Sequence, residues 1–415
     1  MVPGKGVAIE VEAVVEEPVR VLLIPSSDYL GHPFPQRYNH LFERVHDGRE
    51  FEVHVIRFNI FGKPKLVTRC IVHEIPLELR IGKTGLYYLA NVFSYTHEIL
   101  RIIRKESIDV VFAGNLLPPL TYEVTKRLME RRIPTVFDLQ DYYPTSAAGY
   151  LTDVKSVAGS MLKGLFEAMT RFLIRGASVV TVPGIALAMY SRRVGARKVY
   201  IVPNGISEHF LERYGGGEVR KRLGFSDEDI IVGYVGSIEF WLDMEPLIKG
   251  VAIARERGLP VKLLLIGKQL QSGYPQKVRR WLEVYRVGDA TTWLDFVPHT
   301  EVPKYVAAMD LATIPFDVEN PTAFYAAPNK LWEYLSQGTP VAATPIPEII
   351  AYKHIRKIRI VRTAQDCAKA VELAGEYREK AVDPEVSRML EARLWQNSAQ
   401  KLKQILKSLY KDRKH

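Results

Sequence analysis

The chain has 415 residues, which is too long for one ordinary hydrophobic core and suits two domains of roughly 150 to 200 residues each. Apolar residues make up 47% and charged residues 25% of the sequence, which excludes a disordered chain. The formal net charge of +10 favours anionic partners, but charge alone does not distinguish nucleotide phosphates, an anionic membrane surface and nucleic acid.

The first half of the chain alternates short apolar runs with longer amphipathic segments. Residues 19–25 form an apolar run that ends in turn formers, as expected of a buried parallel strand. A helix is predicted over 36–46 and a second strand over 51–58, which gives a βαβ unit. The same alternation predicts helices over 87–105, 119–131 and 154–175, and strands over 110–112, 135–137, 178–182 and 198–205. This order predicts a parallel sheet covered on both faces.

A second series of elements follows a linker that we expect near residues 214–217, after an Asn-Gly turn at Asn204 and Gly205. Its predicted strands lie at 230–235, 261–266, 292–296, 311–314 and 340–343, and its helices at 244–256, 275–285, 302–308 and 328–337. Two further helices, over 364–380 and 384–411, close the chain. The second lobe is therefore also predicted to be α/β.

Membrane spans, secretion and cysteine chemistry find no support in the sequence. No apolar run approaches the roughly 18 to 20 residues of a membrane span, and residues 1–17 lack the basic start and apolar block of a signal peptide. We therefore predict a cytoplasmic protein. The two cysteines, Cys70 and Cys367, fall in different predicted lobes, so we expect two buried thiols without a disulfide or cysteine metal site.

The stretch over residues 327–335 carries the strongest chemical signal. Pro328 can begin a helix, Lys330 lies on its first turn, and Glu333 follows one turn later on the same face. A helix N-terminus with a lysine binds phosphate oxygens, and a carboxylate can accept both hydroxyls of a ribose, so this pattern predicts a nucleoside diphosphate site. The alternative is an ordinary surface pair of Lys330 and Glu333.

Several segments of the second lobe resemble, in their usual order, those of glycosyltransferases of the two-Rossmann GT-B type, group 1. They are residues 202–206, 232–237, 263–268, 299–311, 328–341 and 394–397. The resemblance covers roughly residues 180 to 400 and implies an α/β fold with two Rossmann-like parallel-sheet domains facing across a cleft. We place an acceptor-binding domain at 1–205, a nucleotide-sugar-binding domain at 206–383, and a C-terminal helical segment that packs back toward the first domain at 384–415.

The resemblance also implies which residues bind the donor. Gly236 removes a side chain where a strand leads into a helix, so backbone N–H groups can approach phosphate oxygens. A charge-assisted hydrogen bond from Lys330 would stabilise the leaving nucleotide, and neither a metal nor another cofactor is expected. The predicted donor-binding residues are Gly31, Asn204, Gly205, Gly236, Ser237, Lys268, Pro328, Asn329, Lys330 and Glu333.

The sequence departs from the common pattern of retaining members, which have two glutamates separated by seven residues. Tyr325 occupies the position of the first glutamate, and the pattern is similar to a polysaccharide-assembling subgroup related to the xanthan glucuronosyltransferase type. That resemblance implies a lobe-one aspartate as the base of an inverting reaction. Asp141, after the strand at 135–137, is the predicted base, with Asp138 as the fallback or the residue that orients it. The alternative is a turn cap at Asp138 and a solvated Asp141.

The predicted activity is transfer of a sugar from a nucleotide sugar to a hydroxyl acceptor, a glycan or lipid-linked glycan. The helix from Val154 has an apolar stripe typical of a helix that faces the core. The alternative is that this stripe contacts the inner face of an anionic membrane. Arg37, at a helix start, is expected to be solvated. A nucleotide-sugar epimerase of the same fold and a non-catalytic polyanion binder remain as alternatives, although no nucleic-acid-binding motif is present.

Overall fold

The computed structural model describes residues 17–32, 34–58, 62–75, 90–115, 118–151, 156–267, 273–377 and 380–414, which form two lobes. The strands of lobe one are β1 (Val19–Ile24), β2 (Phe51–Phe58), β3 (Ile71–Ile75), β4 (Val110–Gly114), β5 (Thr135–Asp138), β6 (Val179–Val182) and β7 (Val199–Ile201). Its helices are α1 (Arg37–Val45), α2 (Val92–Lys105), α3 (Pro118–Glu130), α4 (Tyr143–Leu151), α5 (Val157–Gly176) and α6 (Ile185–Val194).

Lobe two begins after a short 3-10 helix at Glu208–Phe210. Its strands are β8 (Ile230–Val235), β9 (Val261–Ile266), β10 (Thr291–Leu294), β11 (Leu311–Ile314), β12 (Val341–Ala343) and β13 (Ile358–Ile360). Its helices are α7 (Gly217–Arg222), α8 (Glu245–Glu256), α9 (Tyr274–Val284), α10 (Val302–Ala308), α11 (Pro321–Phe324), α12 (Asn329–Ser336), α13 (Pro347–Ala351), α14 (Ala364–Glu372) and α15 (Pro384–Ala392). The final helix is α16 (Trp395–Lys414).

The strands of each lobe pair in parallel, in the orders β3-β2-β1-β4-β5-β6-β7 and β10-β9-β8-β11-β12-β13. Central strands are covered on both faces, as the 0% exposure of Leu263, Leu264 and Leu265 in β9 illustrates. In each sheet the order reverses beside the first strand, at β1–β4 and at β8–β11. Open α/β sheets bind ligands outside the carboxyl ends of the strands at such a point, so each lobe has a candidate site there. The predicted α/β architecture with two parallel sheets is confirmed.

The last two helices belong to different lobes. Helix α15 packs its buried Val386 and Leu390 into the core of lobe two. Helix α16 returns to lobe one, where Trp395 and Leu402 are part of the core that covers β1 and β2. The chain passes between the lobes near Leu394, which forms a bridge with Ile206.

Local patterns missed several short elements: β3, β13, α4, α6, α7, α11 and α13. The predicted helix over 154–175 proved to be α5 alone, and its apolar stripe is not entirely in the core. Phe166 and Leu173 are buried, but Val157, Met161 and Leu165 are 79%, 72% and 50% exposed. Cys70 and Cys367 are buried free thiols, as predicted. None of the helices in the described residues is long and apolar enough to cross a membrane.

Candidate active site

Two glycines keep the carboxyl ends of β8 and β9 free of side chains. Gly236 and Gly267 have φ angles of +140° and +143°, which residues with a side chain rarely adopt. A Cβ atom on Gly267 would overlap the carbonyl oxygen of Gly236, and a Cβ on Gly236 would lie 2.6 Å from Nζ of Lys330. The two strand ends therefore leave backbone open at the position that Lys330 reaches.

Lys330 occupies the first turn of α12, whose N-terminus has no side-chain cap hydrogen bond. Its ammonium group donates to the hydroxyl of Tyr234 at 2.9 Å and lies 5.5 Å from the centre of the Phe316 ring. Burial lowers the pKa of Lys330 to about 8, against the opposing charge of Glu333. A cation beside the N-terminus of a helix forms an anion site.

Glu333 lies one turn further along α12 and faces His299, with Oε1 3.6 Å from Nε2 of the imidazole. The Glu333 side chain is 15% exposed, so its carboxylate is sheltered but remains in contact with solvent. His299 in turn meets the ring of His209 edge to face at 5.2 Å. The position of Glu333 beside the phosphate-binding lysine suits an acceptor of ribose hydroxyls.

The remaining predicted residues of this segment contact residues 202–206, where the chain leaves lobe one; this segment is called the hinge below. Pro328 is the N-cap residue of α12, and the side-chain amide of Asn329 donates to the carbonyl of Gly205 at 3.1 Å. A Cβ on Gly205 would overlap the ring of Trp395, which explains the glycine by close packing. Asn329 therefore ties the donor helix to the hinge.

Asp141 follows β5 at the carboxyl edge of the lobe-one sheet. The residue as a whole keeps contact with solvent, and its backbone carbonyl accepts a hydrogen bond from the amide of Asn115 at 2.9 Å. Desolvation by the surrounding protein raises the pKa of Asp141 to about 6; Arg37 opposes this shift and the charge of Asp138 reinforces it. A carboxyl group with this pKa is ionised at neutral pH but basic enough to accept a proton.

Asp138 is wholly buried at the end of β5 and is bound on several sides. Arg37 donates to both of its oxygens, each at 3.1 Å, and Thr181 donates its hydroxyl to Oδ1 at 2.7 Å. Arg37 is only 8% exposed, so the expectation that it is solvated was wrong: the carboxylate of Asp138 compensates its charge. A carboxylate held in this way has no path to an acceptor, and its geometry favours the orienting role.

Gly31 lies in the loop after β1, and Ser237 lies just beyond β8. The backbone N–H of Gly31 donates to Oδ1 of Asp28 at 3.1 Å, so it is already occupied within lobe one. Asp28 is held by the buried Arg57 at 3.1 Å, which fixes this loop. The carbonyl of Ser237 accepts the hydroxyl of Tyr234 at 2.8 Å. Lys268 lies outside the described residues.

Contacts across the cleft hold the lobes together near Asp141. Ser146 of α4 and Thr322 of α11 share a hydrogen bond of 2.9 Å between their hydroxyls. Tyr325 stacks on Tyr142 with ring centres 4.9 Å apart. These partners are 176 and 183 residues apart in the chain, so local sequence patterns gave no signal for them.

The acidic, histidine and cysteine side chains do not gather at one point in the part of the chain that the structure describes. No group of three or more His, Cys, Asp or Glu side chains within the described ranges is arranged to hold a metal ion. The charged groups near the strand ends are a half-buried lysine of lowered pKa, a sheltered glutamate and an aspartate of raised pKa.

Comparisons with known proteins agree with this arrangement. Residues 36–210 match the family described as Glycosyltransferase Family 4, and residues 229–374 match Glycosyl transferases group 1. Two parallel-sheet lobes that each match a glycosyltransferase family model are the arrangement of a GT-B glycosyltransferase. The match of the second lobe to the group 1 model agrees with the resemblance of its segments.

One relative and two solved structures are similar to this chain. A putative teichuronic acid biosynthesis glycosyltransferase, TuaH of Bacillus subtilis (strain 168), is 27% identical over 153 residues, which cover 37% of this chain and only 36% of the relative. Sucrose-phosphate synthase from Thermosynechococcus elongatus shares the fold with a TM-score of 0.71 at 15% identity, over 95% of this chain and 99% of that one. Anabaena HepE in complex with UDP-glucose gives a TM-score of 0.67 at 16% identity, over 94% and 99%.

Proposed function

We propose that the protein transfers a sugar from a nucleoside diphosphate donor to a hydroxyl group of a glycan or lipid-linked glycan. The observation that carries the proposal is Lys330, whose ammonium group stands at the start of α12 beside the bare backbone of Gly236. Glu333 lies on the same helix within reach of a ribose. The UDP-glucose complex of HepE, a protein of the same fold, supports a nucleotide sugar as the donor.

Lobe two would stabilise the departing nucleotide. Negative charge grows on the pyrophosphate as the bond to the sugar breaks, and a buried cation stabilises that charge more strongly than an exposed one. Lys330 and the N-terminus of α12 would supply this stabilisation, so the proposed reaction requires neither a metal ion nor another cofactor. Gly236 adds no side chain beside Nζ of Lys330, where a phosphate would bind, and Gly267 allows the carbonyl of Gly236 to pack closely against it.

Lobe one would activate the acceptor. The acceptor hydroxyl loses a proton as it attacks the anomeric carbon, and Asp141 is the carboxylate exposed to the cleft that would take it. Asp138 and Arg37 would hold the strand end that carries this loop. Closure of the two lobes excludes water that would otherwise hydrolyse the donor.

Calorimetric titration with UDP, GDP, ADP and their sugars tests the donor site. We expect one nucleotide to bind, and Lys330→Met to weaken it about tenfold or more, since a charge-assisted contact is lost. Lys198→Met, which changes an exposed lysine of lobe one, is the matched control. If none of the three nucleotides binds the unaltered protein, the proposal fails.

Asp141→Asn separates a transferase from a non-catalytic binder. The variant should keep nucleotide affinity and lose turnover, whereas a binder has no turnover to lose. Release of free nucleoside diphosphate in the presence of an acceptor distinguishes transfer from epimerisation. Polysaccharide intermediates isolated from the source cells provide the acceptor screen.

The exposed half of α5 supports contact with a membrane that carries the acceptor. Val157, Met161 and Leu165 follow one another at helical spacing and are mostly solvent-exposed, while the net charge of the chain is +10. We place this contact at the cytoplasmic face of an anionic membrane. The triple change of these residues to serine should abolish flotation with anionic liposomes at low salt. The idea fails if the unaltered protein does not float with them.

A further inference from the structure

Tyr325 reaches across the cleft from lobe two into an aromatic notch of lobe one. Its ring stacks on Tyr142 at 4.9 Å and 25°, and lies 5.3 Å from the ring of Tyr190 at 57°. Tyr142 and Tyr190 meet edge to face at 5.5 Å. Three rings from two lobes therefore form one cluster, with the offset and edge contacts that aromatic pairs prefer.

The notch is formed by the rings of Tyr142 and Tyr190 in lobe one, and contacts that do not involve Tyr325 hold it in place. Glu167 of α5 accepts the hydroxyl of Tyr142 on one oxygen and that of Tyr190, at 2.6 Å, on the other. Arg171 binds the same carboxylate at 3.1 Å. Burial and the charge of Glu167 raise the pKa of both phenols well above the ordinary value, so both stay protonated donors. The two rings are thus fixed by a network that lies entirely within lobe one.

The contact joins the two loops that carry the proposed chemistry. Tyr142 follows Asp141 directly, and Tyr325 precedes Lys330 by five residues on the loop that leads into α12. The hydrogen bond between Ser146 and Thr322 lies beside it and crosses the same cleft. Seating of Tyr325 in the notch therefore sets the position of one loop relative to the other.

We propose that Tyr325 is a positioning residue of the sugar transfer: its contact with Tyr142 and Tyr190 closes the cleft and places Asp141 opposite the donor held by Lys330. The inference rests on the proposed transferase function. The proposed role depends on aromatic packing, which requires the ring of Tyr325 but not its hydroxyl. The closed cleft that it stabilises excludes water from the donor.

Steady-state kinetics of Tyr325→Ala and Tyr325→Phe test the role in catalysis. The alanine variant should lose about tenfold or more in kcat and convert a larger share of donor to free sugar by hydrolysis, while nucleotide affinity stays within about twofold. The phenylalanine variant should restore both kcat and the ratio of transfer to hydrolysis. Tyr200→Ala, at an exposed tyrosine of β7, is the control. A change in donor KM alone, with kcat and the hydrolysis ratio unaltered, would overturn the proposal.

A crosslinking experiment tests the contact without relying on transfer. Ser146→Cys and Thr322→Cys place two thiols where the hydroxyl oxygens are 2.9 Å apart, and both native cysteines are buried. With diamide as oxidant, the disulfide should form at least about threefold more slowly when Tyr325→Ala or Tyr325→Leu is added, and at the parent rate with Tyr325→Phe. Equal rates in all backgrounds would refute the positioning role. Absence of nucleotide binding with the crosslinking difference intact would instead refute the proposed function.

Discussion

Arg37 on α1 holds the carboxylate of Asp138 at the end of β5 through two hydrogen bonds, from Nε to Oδ2 and from Nη2 to Oδ1, each 3.1 Å long. The same guanidinium donates to the carbonyl of Val202 at 2.9 Å and to the side chain of Asn204 at 2.8 Å. These two acceptors belong to the hinge that leads into lobe two. One buried arginine therefore connects the strand end before the proposed base to the segment that leads into lobe two.

The stability of the protein should respond differently to loss of one member of the buried pair Arg37 and Asp138 than to replacement of both. Asp138→Ala leaves the charge of Arg37 buried without its partner and should lower the free energy of unfolding by about 3 to 5 kcal/mol. The double variant Arg37→Met, Asp138→Leu should lose less than the sum of the single changes, because no unpaired charge remains. Urea denaturation measures these differences. Glu123→Ala, which breaks a surface pair with Arg127, should cost less than about 1 kcal/mol; an equal cost for Asp138→Ala would contradict the prediction.

The raised pKa of Asp141 predicts an acid limb in the activity profile. A general base must be ionised, and desolvation raises the pKa of this carboxyl to about 6, so kcat/KM should rise with pH through about 6 and level off above it. Asp141→Asn should lower kcat by about 10² to 10⁴ and abolish the limb in the remaining activity. The exposed Glu130→Gln serves as the control. A limb that persists in Asp141→Asn would assign the titration to another group.

The titration of Lys330 predicts that nucleotide binding weakens as the pH rises. The protonated amine binds the pyrophosphate, and burial lowers its pKa to about 8 in the free protein. Bound phosphate favours the protonated form, so affinity should fall by up to about tenfold per pH unit as pH rises above 8. Lys330→Arg, which keeps its charge, should remove this dependence. Calorimetry at pH 7, 8 and 9 is the measurement, and unchanged affinity over that range in the unaltered protein would exclude Lys330 as the titrating cation.

Local sequence patterns predicted the framework of the fold because its signals are local. Apolar runs located β1, β8 and β9, and the chemistry of the stretch around Lys330 located α12. Helix α6 was missed because part of its N-terminal signal lies in the other lobe: Gly184 precedes the helix and Glu348 of α13 accepts the first N–H. A cap supplied from 163 residues away leaves no mark in the neighbouring sequence.

The residues of the candidate site also differ in whether their partners are near or distant in the sequence. Glu333 and Lys330 were predicted together because they are one helical turn apart, and α12 places both on the side that faces the cleft. Arg37 was misread because its partner Asp138 is 101 residues distant, and only the sheet brings the two together. The assignments of Asp141, Asn204 and the other site residues stay predictions until the variants above are measured.

The contact between Gly184 and Glu348 gives a final prediction about closure. Oε2 of Glu348 accepts the N–H of Ile185 at 2.7 Å, so a carboxylate of lobe two caps the positive end of a lobe-one helix. A Cβ on Gly184 would overlap that carboxylate and lie 2.7 Å from Cβ of Ala327, next to the donor helix. Gly184→Ala should therefore separate the lobes and reduce kcat, with nucleotide affinity retained because the lysine and glutamate of α12 are untouched.

Small-angle X-ray scattering should show a larger radius of gyration for Gly184→Ala than for the unaltered protein. Glu348→Ala, which removes the acceptor but adds no bulk, should cost about 1 to 2 kcal/mol of stability and open the cleft less. Gly217→Ala is the matched control, because no atom lies within 4 Å of a Cβ at that position. If Gly184→Ala matched this control in both scattering and kcat, the lobe contact at α6 would have no part in the active conformation, and closure would have to depend on the tyrosine cluster alone.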